Sequence, residues 1–261
     1  MDNVNKTLYI PLYGKSCVSR RGLFLEDKMA EQIWAGEGFA LKGKSASKWL
    51  AYYMGIRAAV FDDWTRKQMM LNPEAVVLHL GCGLDSRCLR VGDGGQRWFD
   101  VDFPEVIAER TRYFSESENY QMIPGDLREN DWLGRIPAQQ DAIVVMEGVS
   151  MYLTPEALQG LLVRLSGHFR RVVLLMDCYT TLAANMSKYK NPINDVGVTQ
   201  VYGLDDPRSI GAGELAFRKE LELTPRRYIQ ELKGAERIIF SKLYAGGFSR
   251  KLYRLYAFSS R

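Results

Sequence analysis

Histidine is nearly absent from this chain: His79 and His168 are the only two in 261 residues. That excludes a multi-histidine metal centre; any metal would need oxygen ligands, and no metal is expected. The four cysteines, Cys17, Cys82, Cys88 and Cys178, form neither a Cys-x-x-Cys ladder nor a disulfide framework, so reduced thiols are expected. Long apolar runs are missing as well. Ala142 to Met146 and Val172 to Met176 hold about five residues where a membrane helix needs about twenty, and no membrane segment is expected. Neither charge sign dominates, with 35 Lys and Arg against 31 Asp and Glu, which leaves no electrostatic footprint for a nucleic acid. The opening Met1-Asp-Asn-Val-Asn-Lys6 lacks the basic start and apolar core of a secretory signal, so the cytoplasm is the expected compartment.

What is present is the composition of an ordinary globular chain, 46% hydrophobic and 25% charged, long enough for one large α/β domain. Apolar residues recur at helical spacing over Asp27 to Trp34 and Trp49 to Met70, with Tyr52, Ile56, Val60 and Trp64 on one stripe. A β-branched run from Ala75 to Leu80 then ends in Gly81-Cys82-Gly83, as a buried parallel strand does. Further strands are expected at Arg97 to Val101, Tyr120 to Ile123, Asp141 to Met146 and Arg171 to Met176. Pro104 and Pro155 open the helices between them, the second behind the N-cap Thr154. Alternating strands and helices predict an open, mostly parallel, doubly wound sheet. Arg250 to Phe258 alternates polar and apolar residues, and fits an antiparallel strand closing that sheet. The organisation read from the chain is a helical cap over 1–72, a core over 73–177, a substrate lid over 178–218 and the rest of the sheet over 219–261.

The first strand's Gly-x-Gly turn lets a ligand approach the backbone, and a doubly wound sheet binds ligands beyond its strand C-termini. A nucleotide-like cofactor is implied. The third glycine of a dinucleotide fingerprint is replaced by Ser86. Asp100 and Asp102 follow Gly83 by 17 and 19 residues, where a ribose-binding carboxylate belongs. Asp126, beside Leu127, and Glu147 end the next two strands on the same crevice. Each of these acids, taken singly, is equally readable as a loop or cap residue.

Several segments together resemble the leucine carboxyl methyltransferase family, on its bacterial polyketide O-methyltransferase side. They are Leu8-Tyr-Ile-Pro-Leu-Tyr-Gly14, Gly55-Ile-Arg57, Leu80-Gly-Cys-Gly-Leu-Asp85, Asp100-Val-Asp-Phe-Pro-Glu-Val-Ile107, Gly125-Asp-Leu-Arg128, Met146-Glu-Gly-Val-Ser-Met-Tyr-Leu153 and Gly203-Leu-Asp-Asp-Pro207. The resemblance implies a class I, Rossmann-like fold with a seven-stranded sheet and helices on both faces, binding S-adenosylmethionine. It assigns the cofactor to Lys15, Arg57, Gly81, Asp102, Asp126, Leu127 and Glu147, with Arg57 and Lys15 at the methionine carboxylate, and the Gly-x-Gly turn adds Gly83 to the expected cofactor residues. A guanidinium suits a carboxylate because it binds through two parallel N–H groups.

A methyl group on a sulfonium is already activated, so the acceptor's acidity decides what else is needed. A phenol with pKa about 10 benefits from a general base, whereas a carboxylate is already ionised at neutral pH. Neither histidine ends a strand beside the expected methyl position, which favours a carboxylate acceptor, with Arg128 and Tyr152 as its clamp. A small organic acid and a monomer are expected. A hydroxyl acceptor, a protein C-terminus, a non-catalytic cofactor-binding module and a nicotinamide oxidoreductase remain open at this point.

Overall fold

The computed structural model describes residues 8–36, 41, 43–92, 95–187, 200–211 and 214–260. In chain order the elements are α1 (Tyr9–Arg20), α2 (Lys28–Gly36), α3 (Lys48–Leu71), β1 (Val76–Leu80), α4 (Arg87–Arg90), β2 (Trp98–Asp102), α5 (Pro104–Arg110) and β3 (Tyr120–Pro124). There follow β4 (Asp141–Met146), α6 (Pro155–His168), β5 (Arg171–Tyr179), α7 (Thr181–Ser187), β6 (Ala216–Leu221), α8 (Arg226–Ile229), α9 (Gly234–Leu243), α10 (Gly246–Leu252) and β7 (Tyr253–Ser259). The sheet has seven strands in the order β3-β2-β1-β4-β5-β7-β6. The first five are parallel; β7 runs antiparallel between β5 and β6. Strand order reverses between β1 and β4, and the crevice at that switch point is where such a fold holds a ligand.

The two sheet faces bury different helices. Val77, Ile143, Val145 and Leu175 face α3, whose Ile56, Val60 and Trp64 supply the stripe expected from spacing. Leu78, Val144, Met146 and Leu174 face α6, where Leu158, Leu161, Leu162 and Leu165 close the other side. Each of those leucines contributes about 1.5–3 kcal/mol on burial. The α6 start is as the sequence proposes: Thr154 Oγ1 accepts from Ala157 N at 3.2 Å, and Pro155 opens the helix.

Two elements were not legible beforehand. Helix α1 carries Pro11 in its first turn, where no N–H is needed, and buries polar Lys15, Ser16 and Ser19, so it shows no apolar stripe. It crosses α3 closely because Gly14 and Gly55 leave no room for more: a Cβ on either would lie 2.7 Å from Met54 or Val18. That crossing brings Lys15 and Arg57 to one side of the crevice. Strand β6 takes the last residues of the segment expected to be lid. Its run Arg218-Lys219-Glu220 sits at a sheet edge, where charge is tolerated and the apolar alternation is lost.

Residues 202–205 of that segment are tied to the strand ends and to α7. Tyr202 N donates to Met151 O at 2.8 Å and Leu204 N to Tyr179 O at 2.7 Å, while Asp205 accepts from Thr181 N at the start of α7. Of the segment's apolar and aromatic residues, Val201 is packed into the core, Met186 is exposed, and Tyr189 lies outside the described residues. Among the described residues no helix is long and apolar enough to cross a membrane.

Candidate active site

Gly81 directly follows β1 with φ +69°, and a Cβ there would drive into the side chain of Val149. The turn it makes is pinned by Asp102 at the end of β2. Asp102 Oδ2 accepts from Gly83 N at 2.7 Å and Oδ1 from Phe103 N at 2.8 Å. Burial still wins over these two bonds and pushes the Asp102 carboxyl up to about 6.

Arg57 projects from α3 to the end of β4, where its Nε donates to Glu147 Oε1 at 2.9 Å. Its Nη1 donates to Asp177 Oδ2 at 3.1 Å and to the Tyr253 hydroxyl at 2.7 Å. Lys15 Nζ lies 3.1 Å from Asp85. Beneath them sits Arg87, fully buried, with Nε on Asp62 at 2.8 Å and Nη2 on Glu147. Burial by itself would raise the Glu147 carboxyl, but Arg57 and Arg87 outweigh it and hold it below the usual range. Asp85 is likewise held well below, by Arg90, Lys15 and Arg87 against burial. Glu147 and Asp85 are therefore ionised at neutral pH, whereas burial pushes the Asp177 carboxyl up.

Of these groups Lys15, Arg57, Asp85, Glu147 and Tyr253 line a cavity that also takes in Leu8, Pro11, Leu50, Met54, Met151, Tyr152 and Tyr179. A second runs over Asp102, Phe103, Val106, Asp126, Leu127 and Arg128. The two share Leu8, Gly81, Gly148 and Tyr152, so together they form one trough along the switch point. One end offers cations and a carboxylate. The other offers Asp102 and Asp126 with the buried Leu127 between polar walls. An elongated ligand with an amino-acid end and a nucleoside end fits that donor set.

The residues proposed from sequence thus gather here, with two corrections of place. Arg128 does not reach the acceptor end: its Nε donates to both Asp126 oxygens at 2.9 Å, with Nη2 on Oδ2 as well, and the side chain is largely exposed. In this structure the guanidinium is engaged two residues away on its own turn, at the Asp126 end of the trough. His79, expected away from the site, lines the first cavity. Its Nε2 lies 3.2 Å from Arg87 Nη1, and because arginine only donates, that nitrogen must accept. Burial holds His79 below its ordinary value, so it is neutral and its basic nitrogen is occupied.

Sequence reasoning missed Asp85, Arg87, Asp177 and Tyr253 as members of the site. Asp85 and Arg87 directly follow the Gly-x-Gly turn, which was a usable signal. Asp177 and Tyr253 meet only because β5 and β7 pair with Tyr179 opposite Tyr253, a register that spacing does not disclose.

The sequence profile of the leucine carboxyl methyltransferase family matches residues 10–166. Over 184 residues the chain is 31% identical to the tetracenomycin polyketide synthesis O-methyltransferase TcmP of Streptomyces glaucescens, covering 69% of this chain and 68% of that one. It is 28% identical to the S-adenosyl-L-methionine-dependent methyltransferase dpfgK of Gibberella zeae, over 64% of this chain and 61% of that protein. In fold it resembles the S-adenosylhomocysteine-bound magnesium protoporphyrin IX methyltransferase of Synechocystis, with a TM-score of 0.53 at 13% identity over 90% and 93% of the two chains. The chain is accordingly a methyltransferase dependent on S-adenosylmethionine, and it belongs to the leucine carboxyl methyltransferase family.

Proposed function

We propose that this methyltransferase esterifies the carboxylate of a small organic acid, polyketide-like or of comparable apolar character. The observation that carries the reading is the chemistry of the cavity wall away from Lys15 and Arg57. It is made of Leu8, Pro11, Leu50, Met54, Met151, Tyr152 and Tyr179, apolar surface with phenolic hydroxyls and no available base. His79 is capped by Arg87, and Glu147 and Asp85 are committed to guanidinium and ammonium partners. An acceptor that arrives ionised needs no base; a phenol or alcohol would. The enzyme's task is then alignment and exclusion of water.

The bound cofactor supplies an activated methyl group on a sulfonium. In this reading Lys15 and Arg57 hold its carboxylate, Glu147 its ammonium, Asp102 its ribose, and Asp126 with Leu127 its adenine, while Gly81 and Gly83 let the backbone come close. Tyr152, which borders both cavities, orients the acceptor with its hydroxyl, and Met151 and Met54 shield the transfer from solvent. Arg128 serves the adenine end by fixing Asp126. The chain acts as a monomer, with no nucleic-acid or membrane partner.

The test is a methyl-labelled cofactor incubated with the protein and a panel of aromatic and polyketide-like acids, followed by mild base. Label that leaves the small-molecule product on mild base is the expected result, since methyl esters hydrolyse there. Base-stable label would refute the carboxylate reading in favour of a hydroxyl acceptor, and label on protein would move the acceptor to a polypeptide.

A further inference from the structure

Arg57 has five N–H groups, and three are committed: Nε to Glu147, and both hydrogens of Nη1 to Asp177 and Tyr253. Among the described residues Nη2 has no partner, and it lies under the turn at Gly148, on the wall of the cavity. Asp177 is fully buried and does two things with its two oxygens. Oδ1 accepts from Gly148 N at 2.7 Å, fixing the left-handed turn that directly follows Glu147. Oδ2 accepts from Arg57 and, at 2.5 Å, from the Tyr253 hydroxyl. That hydroxyl in turn accepts from Arg57 Nη1, so the three groups close a triangle.

The buried cations Arg57, Arg87, Arg90 and Lys15 are already matched by Glu147, Asp85, Asp62 and Asp27, so Asp177 adds a buried acid that neutrality does not require and that carries its own desolvation cost. We propose that Asp177 and Tyr253 are positioning residues for cofactor recognition. They fill the far side of Arg57, so that Nη2 alone is presented to the carboxylate of the cofactor's amino-acid end, and they tie that geometry to the Gly148 turn carrying Glu147. The inference rests on the assignment of Arg57 to that carboxylate.

Two ligands separate this role from a merely structural one. S-adenosylhomocysteine carries the amino-acid end, and 5′-methylthioadenosine has the same nucleoside without it. Calorimetric titration of the full chain with each should show Y253F and D177N losing about tenfold or more in affinity for the first and less than about twofold for the second, as expected for one charge-assisted hydrogen bond displaced. In turnover the KM for the cofactor rises while kcat at saturation holds. Y253F removes one oxygen and keeps the ring, so it reports even where D177N does not fold. Equal losses for both ligands, or no loss for either, would overturn the proposal. R57A is the control: if it loses the same discrimination while Y253F and D177N keep it, only the positioning role fails. If R57A itself binds both ligands unchanged, the assignment of Arg57 fails with it.

Discussion

Replacing Arg87 by methionine removes the charge that joins β1's end to β4's and leaves a side chain of comparable length in a site with no solvent access. Breaking a buried ion pair from one side costs about 3–5 kcal/mol, because a carboxylate is left uncompensated. Here each abandoned carboxylate keeps a second partner: Asp62 keeps Arg90 at 2.8 Å, Glu147 keeps Arg57 at 2.9 Å, and Asp85 keeps Arg90 and Lys15. The cost is therefore placed at the lower end, about 3 kcal/mol, out of a total stability of about 5–15. It should lower Tm by about 6–12 °C for a chain of this size. The pH dependence gives the reasoning a sign. In the native protein Glu147 is held below its unfolded value, so its stabilisation is complete above about pH 4.5 and lost only as pH falls through the depressed folded value. In R87M, burial is opposed by Arg57 and Lys15 without Arg87, so the Glu147 carboxyl is expected to rise; the cost that this adds is present at pH 8 and fades as pH falls through the raised value. Urea unfolding of both proteins without ligand at pH 5, 7 and 8 reads this. A cost below about 1 kcal/mol at pH 7, or the same cost at pH 5 and pH 8, would refute the claim that Arg87 stabilises chiefly by compensating buried carboxylates.

Three further outcomes follow from the same geometry. G81A places a side chain in the left-handed region and against Val149, so it should lose about 1–2 kcal/mol from the backbone alone and most S-adenosylhomocysteine affinity; unchanged affinity by calorimetry would remove the turn from the site. With its carboxyl at about 6, Asp102 favours the folded state fully only below about pH 4, a contribution lost as pH rises through about 6. Ribose recognition by the ionised form then runs the other way, and S-adenosylhomocysteine affinity should fall about tenfold from pH 7 to pH 5 and become flat in D102N; a flat profile in the native protein would contradict the assignment. R128A breaks a largely exposed pair and should change stability by less than about 1 kcal/mol with acceptor KM unaltered, whereas a raised acceptor KM with cofactor affinity retained would restore Arg128 to the acceptor clamp.

The parallel strands could be read from the chain because strands buried on both faces are continuous apolar runs: Asp141–Met146 is found at the bounds its residues suggest, and β5 differs only by continuing through Asp177-Cys178-Tyr179. That extension marks the limit of sequence reading. A charged residue after an apolar run looks like the end of a strand facing water, and Asp177 is instead fully buried, because β7 pairs alongside it and Arg57 from α3 arrives above it. The same holds for Arg87, which in sequence is one arginine among many and in space lies between Asp62, Glu147 and His79. Gly81, Asp102 and Glu147 were accessible because the strand that places them also names them: each sits at the carboxyl end of a run whose other residues fix its position. Asp177, Tyr253 and Arg87 are defined by partners from other strands and helices, and only the order β1-β4-β5-β7 brings those partners within hydrogen-bond reach. Groups at strand ends are thus local in the sequence, and the groups that hold them in place are not. A site read from sequence alone will therefore list contacts before it lists the residues that give those contacts their direction.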